Sequence, residues 1–120
     1  MKDNVILNKS FDFSVEIIKL YKMLCKNKQE FVLSKQLLRS ATSIGANVRE
    51  AVQAQSKRDF LSKMNIALKE ANETMYWIEL LYSSEYINSI YKNIYSDRCN
   101  ELIKLLSSIV KTTKFKLDIK

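Results

Sequence analysis

The side chains of this chain that could do chemistry are carboxylates and cations at helical spacings. Gln36, Ser40, Ser43, Asn47 and Glu50 form one polar row, and Lys63, Glu70, Glu73 and Trp77 form a second flank. Carboxylates on facing helices can hold metal ions, but di-metal bundles draw on Glu-x-x-His motifs and several inward acids. A count of His 0 removes those ligands and the commonest general base with them. The simpler reading is a polar network of Arg39, Ser43, Asn47, Glu50, Glu70 and Glu73 across a helix crossing. In it, Arg39 or Arg49 pairs Glu70 or Glu73, and the network fixes register or lines a subunit interface.

Other chemistries lack their signatures. With Gly 1 there is no GxGxxG, GxxxxGK[ST] or GxSxG motif. Cys25 and Cys99 lie far apart with no CxxC or Cys/His spacing, so neither a zinc site nor a disulfide framework is expected. Catalysis through carboxylates or lysine is open in principle, but no pattern points to it. The expectation is a protein without enzymatic activity, metal or cofactor.

The elements that must position these residues are helices. Pro 0 and Gly 1 cannot supply the frequent turns of a sandwich or barrel, whereas long helices joined by short polar loops need few. The length of 120 residues suits one domain, and a hydrophobic fraction of 47% is that of a globular chain. The N-terminus MKDNVILNKS has no signal-like apolar core and no run approaches membrane-spanning length, so a reduced cytoplasmic setting is expected.

Four helices are predicted, at roughly 10–26, 34–54, 57–83 and 89–113. The first carries two adjacent apolar rows, Phe11, Val15, Ile18 and Cys25 beside Phe13, Ile17, Leu20 and Leu24. That is more apolar face than one neighbour needs, and it argues for assembly beyond a monomer. The second has the seam Leu37, Ala41, Ile44, Val48 and Ala51, interrupted by Gly45. A mid-helix glycine costs up to about 1 kcal/mol relative to alanine, so close helix approach is its expected compensation. Phe60, Met64, Ala67, Ala71, Thr74, Ile78 and Leu81 give the third helix the cleanest heptad pattern, with Ser56 as its N-cap and Asp59 in the acidic position of a capping box. Asn88 is expected to cap the fourth, whose row is Tyr91, Tyr95, Cys99, Leu102, Leu106 and Ile109. The tail 114–120 is expected to fray. The fold class is therefore all-α, an antiparallel up-down-up-down four-helix bundle.

That topology gathers charge. Lys+Arg 20 against Asp+Glu 13 leaves +7. One bundle end collects Lys2, Lys9, Arg49, Lys57, Arg58, Lys63, Lys111, Lys114, Lys116 and Lys120 against Asp3, Asp12, Glu50, Asp59 and Asp118, which places +5 of the total there. Lys111 and Lys114 suit a helix C-terminus, but Lys57 and Arg58 sit at a helix N-terminus, where positive charge is unfavourable. Arg49, Lys57, Arg58, Lys63, Lys111, Lys114 and Lys116 are thus the candidate nucleic-acid contacts. Lys19, Lys22 and Lys26 follow Asp12 and Glu16 and read as a solvated helix face. Trp77, Tyr76, Tyr82, Tyr86 and Tyr91 gather near the third loop. Lacking flanking Lys/Arg in sequence, they are expected to pack a hairpin end or an interface, not stack on bases.

The segment QLLRSATSIGANVREA at 36–51, followed by Ser56, Phe60, Ile66-Ala67-Leu68, Glu70-Ala71 and Glu73, resembles a bacterial family. It is similar to the four-helix-bundle proteins encoded in intervening sequences of 23S rRNA genes, which are related to the accessory variability determinant of diversity-generating retroelements. The resemblance spans Phe11 to Leu106. It implies a homopentameric assembly, association with nucleic acid or with a reverse transcriptase, and no enzymatic activity. A scaffold that binds another protein is the competing expectation.

Overall fold

The computed structural model describes the backbone of residues 2–117 and the side chains of residues 5–117. It is a four-helix bundle of α1 (Lys2–Lys28), α2 (Leu33–Val52), α3 (Lys57–Ser83) and α4 (Ser89–Lys116), about 48 × 23 × 22 Å. Each helix packs antiparallel on the next, and α1 closes on α4 over a smaller contact. The core is a single column. Phe13, Ile17, Leu20 and Leu24 meet Leu37, Ile44 and Val48, then Met64, Ile78 and Leu81, then Cys99, Leu102 and Leu106.

Two boundaries differ from the sequence expectation. The first helix begins at Lys2 instead of Ser10, because Ile6 stands one heptad before Phe13 and is itself buried. Ser10 lies buried within α1, and its hydroxyl donates to the Leu7 carbonyl at 3.1 Å. Likewise α4 continues through Lys114 and Lys116, and Leu117 packs on the core, so those residues are not frayed. Residues 118–120, including Asp118 and Lys120, lie outside the described region, as do the Lys2 and Asp3 side chains.

The turns explain why short loops suffice. Gln29 adopts the left-handed conformation (φ 54) and Glu30 N–H bonds the Leu24 carbonyl at 3.1 Å, a Schellman closure of α1. Glu30 then folds inward and caps α2. Its carboxylate accepts the Val32, Leu33 and Ser34 N–H groups at 3.1, 3.0 and 2.7 Å, and its carbonyl accepts the Ser34 hydroxyl at 2.7 Å. Burial works against its charge, but these bonds hold the carboxyl below its ordinary range. Ser56 and Asn88 cap α3 and α4 as expected, accepting the Asp59 and Tyr91 N–H groups at 3.0 and 2.9 Å.

Gly45 marks the α1–α2 crossing. A Cβ there would stand 3.4 Å from both the Ser10 carbonyl oxygen and the Ser14 hydroxyl. The backbones of α1 and α2 meet through small residues, as the sequence predicts.

Candidate nucleic-acid interface

The expected polar network forms only in part. Arg39 on α2 bonds Glu73 on α3 and lies 3.6 Å from Glu70, and Glu73 also accepts the Trp77 indole N–H at 3.2 Å. Ser43 and Asn47 do not join it, because the Asn47 amide donates to the Ser43 carbonyl of its own helix at 2.8 Å. Glu50 is also elsewhere. It pairs with Lys63 at 3.1 Å, about three helical turns along the same α2–α3 seam. The buried polar contact between these helices is one that the sequence reading missed: Thr74 Oγ1 lies 2.9 Å from Ser40 Oγ. The network is thus a surface clamp on the α2–α3 pair, and one Glu70 oxygen is buried without a hydrogen-bond partner among the described residues. No group of three or more His, Cys, Asp or Glu residues gathers into a metal-holding cluster among the described residues.

The seven candidate nucleic-acid cations separate into two kinds. Lys63 is half-buried and held by Glu50, and Lys9, also assigned to this end, is held by Glu101 at 3.0 Å. These charges are largely cancelled. Among the described residues Arg49, Lys57, Arg58, Lys111, Lys114 and Lys116 form no ion pair, and all six are exposed.

They do not form one patch. Lys57, from the first turn of α3, and Lys116, from the last turn of α4, line a single groove of about 390 Å³. Phe60, Ile109, Ser108, Thr112 and Thr113 complete its lining, and among the described residues no carboxylate lines it. Arg58 lies beside Leu61 and Ile66 on another part of α3, whereas Arg49 lines the α1–α2 groove. Lys111 and Lys114 are exposed on the last turns of α4 but do not line the Lys57–Lys116 groove.

A different face is apolar. Of the two rows on α1, Phe13, Ile17, Leu20 and Leu24 are buried, while Phe11, Val15 and Ile18 remain 56%, 39% and 37% exposed. Phe11 continues into a shallow groove of about 330 Å³ with Leu7, Thr42, Gly45 and Ala46. The surplus row of α1 is therefore left uncovered by the bundle's own helices.

Both cysteines are free. Cys99 is buried and its thiol donates to the Ala71 carbonyl at 3.3 Å; burial pushes its pKa up to about 12.

The chain is an all-helical four-helix bundle with a polar clamp on its α2–α3 pair and an apolar row of α1 left exposed. The profile of the 23S rRNA-intervening sequence protein family matches residues 2–108. This chain belongs to that family. It is similar to a crystal structure of a protein of unknown function from the S23 ribosomal protein family of Bacteroides thetaiotaomicron. The two are 58% identical with a TM-score of 0.90, over 92% of this chain and 99% of that one. No curated protein matches the chain. Among the described residues, no helix is long and apolar enough to cross a membrane.

Proposed function

We propose that the chain is a non-catalytic, homo-oligomeric bundle that binds nucleic acid, RNA or DNA, through its basic end in the cytoplasm. The observation that carries this is the convergence of Lys57 and Lys116 on one groove that no carboxylate lines among the described residues. Lys57 sits at the N-terminus of α3, where its ammonium opposes the positive end of the helix dipole, and a phosphate held between it and Lys116 relieves that repulsion. Phosphate contacts of this kind give affinity without sequence readout.

The Phe11–Val15–Ile18 row is the surface on which copies associate. A ring of five, as the family resemblance implies, repeats the basic groove around an axis and multiplies its field. An accessory role beside a nucleic-acid enzyme such as a reverse transcriptase follows from the same resemblance. The same apolar row also favours a second reading, a scaffold that binds another protein and no nucleic acid.

Light scattering on the eluting protein, followed by titration of a labelled oligonucleotide at several salt concentrations, separates the two. The proposal expects an oligomer whose affinity falls steeply with salt. A monomer, or an oligomer with no salt-dependent binding, overturns it.

A further inference from the structure

The opposite end of the bundle holds a larger cleft, of about 770 Å³. It is formed where the last turn of α1 meets the α3–α4 loop, and Met23, Lys28, Tyr82, Tyr86, Asn88 and Tyr91 are among the residues that line it. Beside these tyrosines the sequence offers one base, Lys92 next to Tyr91, and the fold adds a second. Lys28 arrives from α1, and Lys92 places its ammonium 5.7 Å from the centre of the Tyr82 ring.

The loop that carries the rings is built to hold its shape. Glu85 takes the left-handed conformation (φ 67), Tyr86 N–H bonds the Leu81 carbonyl at 2.9 Å, and Ile87 is buried in the core. Asn88 spends its Oδ1 on the α4 cap, and its Nδ2 makes no bond among the described residues. The rings of Tyr82 and Tyr91 stay 40% and 41% exposed.

The chemistry selects among ligands. Three rings offer stacking surface, which favours a flat conjugated group. Lys28, Lys92 and the N-terminus of α4 oppose the single lining acid, Glu85, so an organic cation is disfavoured and an anion is favoured. Asn27, Lys28, Ser83, Glu85 and Asn88 share the lining with the three tyrosines, which does not suit a purely aliphatic segment. A flat ring joined to an anion is a nucleotide.

We infer that this cleft is a second nucleic-acid contact, remote from the Lys57–Lys116 groove, where an unpaired base stacks on Tyr82, Tyr86 or Tyr91 with its phosphate near Lys28. It shares its ligand class with the proposed function but rests on different residues. A strand can hold to either end without the other.

The test uses a short single-stranded oligouridylate carrying 5-iodouridine, irradiated on the intact protein, with the crosslinked peptide mapped by mass spectrometry. The inference expects crosslinks at Tyr82, Tyr86 or Tyr91. Affinity should fall about tenfold in the double variant Tyr82→Ala/Tyr91→Ala and be retained in Tyr82→Phe/Tyr91→Phe, because the ring and not the hydroxyl does the stacking. Unchanged melting temperatures would show that both variants fold. Crosslinks confined to the peptides around Phe60 and Lys116, or wild-type affinity in the alanine variant, overturn the cleft while leaving the basic end standing. Loss of affinity in the tyrosine variants but not in Lys57→Glu/Lys116→Glu upholds the cleft and removes the basic end. If the alanine variant instead lowers the oligomer's mass, the cleft is a protein contact and the inference fails.

Discussion

The Glu30 carboxylate accepts the Ser34 N–H at 2.7 Å, so α2 is capped by an acid buried at its own entrance. Replacing it with alanine is expected to cost about 0.5–2 kcal/mol, the usual worth of an N-cap. Its folded pKa lies below the ordinary 4.5, so the native state binds fewer protons than the unfolded chain. The contribution is full above the unfolded value and is lost as pH falls through the folded one. Urea melts of wild type and Glu30→Ala should therefore differ most near neutral pH and converge in acid. A constant gap across that range would mean that the ionised cap is not the source.

Gly45 and Ser10 give a graded prediction. A methyl group at Gly45 meets Ser10 and Ser14 at 3.4 Å, ordinary contact distance. Gly45→Ala should thus be neutral or stabilising by up to about 1 kcal/mol from helix propensity. Gly45→Leu should lose about 1–3 kcal/mol by overpacking the α1–α2 crossing. Thermal melting decides. A leucine variant as stable as wild type would remove the close-approach role.

Much of the bundle was legible because it depends on short-range pattern. The third helix's heptads, the Ser56 and Asn88 caps and the Gly45 crossing all follow from residues within a few turns of one another. The sequence places the start of the first helix too late, since the apolar rows counted for it begin only at Phe11. Ile6, one heptad before Phe13 and buried, is the residue that carries the helix further back. Glu30 stayed hidden because its capping bonds depend on the left-handed turn at Gln29, which has no glycine to announce it. The candidate site was less legible still. That Glu50 neutralises Lys63, and that Lys57 meets Lys116, are facts of helix register between distant segments.

The two cysteines should separate in alkylation. Cys99 is fully buried with its pKa raised to about 12, so almost no thiolate exists to react at pH 8. Cys25 is only partly buried. Iodoacetamide under native conditions should label Cys25 alone, and denaturant should release Cys99. Equal native labelling would place Cys99 outside the core.

If copies associate through the exposed α1 row, as proposed, Phe11→Lys together with Ile18→Lys should disperse the oligomer without unfolding the protomer. Both side chains are more than a third exposed, so their loss opens no core cavity. Sedimentation should show a smaller species with unchanged helicity. An unaltered mass would move the subunit contact to another face.

The basic end can be tested by asking which lysines matter. Lys57 and Lys116 line one groove that no carboxylate lines among the described residues, while Lys63, assigned to the same end from sequence, is tied to Glu50 at 3.1 Å. A lysine with a carboxylate partner offers a phosphate little that a neutral surface would not. Charge reversal at Lys57 and Lys116 should therefore weaken oligonucleotide binding and reduce the slope of log affinity against log salt by about one for each phosphate no longer neutralised. Charge reversal at Lys63 brings it against Glu50, so Lys63→Gln is the cleaner comparison. It should leave both affinity and slope nearly unchanged. Arg58→Glu is intermediate, since that side chain is exposed at the same helix start but outside the groove. If all four substitutions weaken binding equally, the end acts as a diffuse field and the groove has no special part. If none does, nucleic acid is not held at this end, and the apolar face of α1 becomes the leading binding surface.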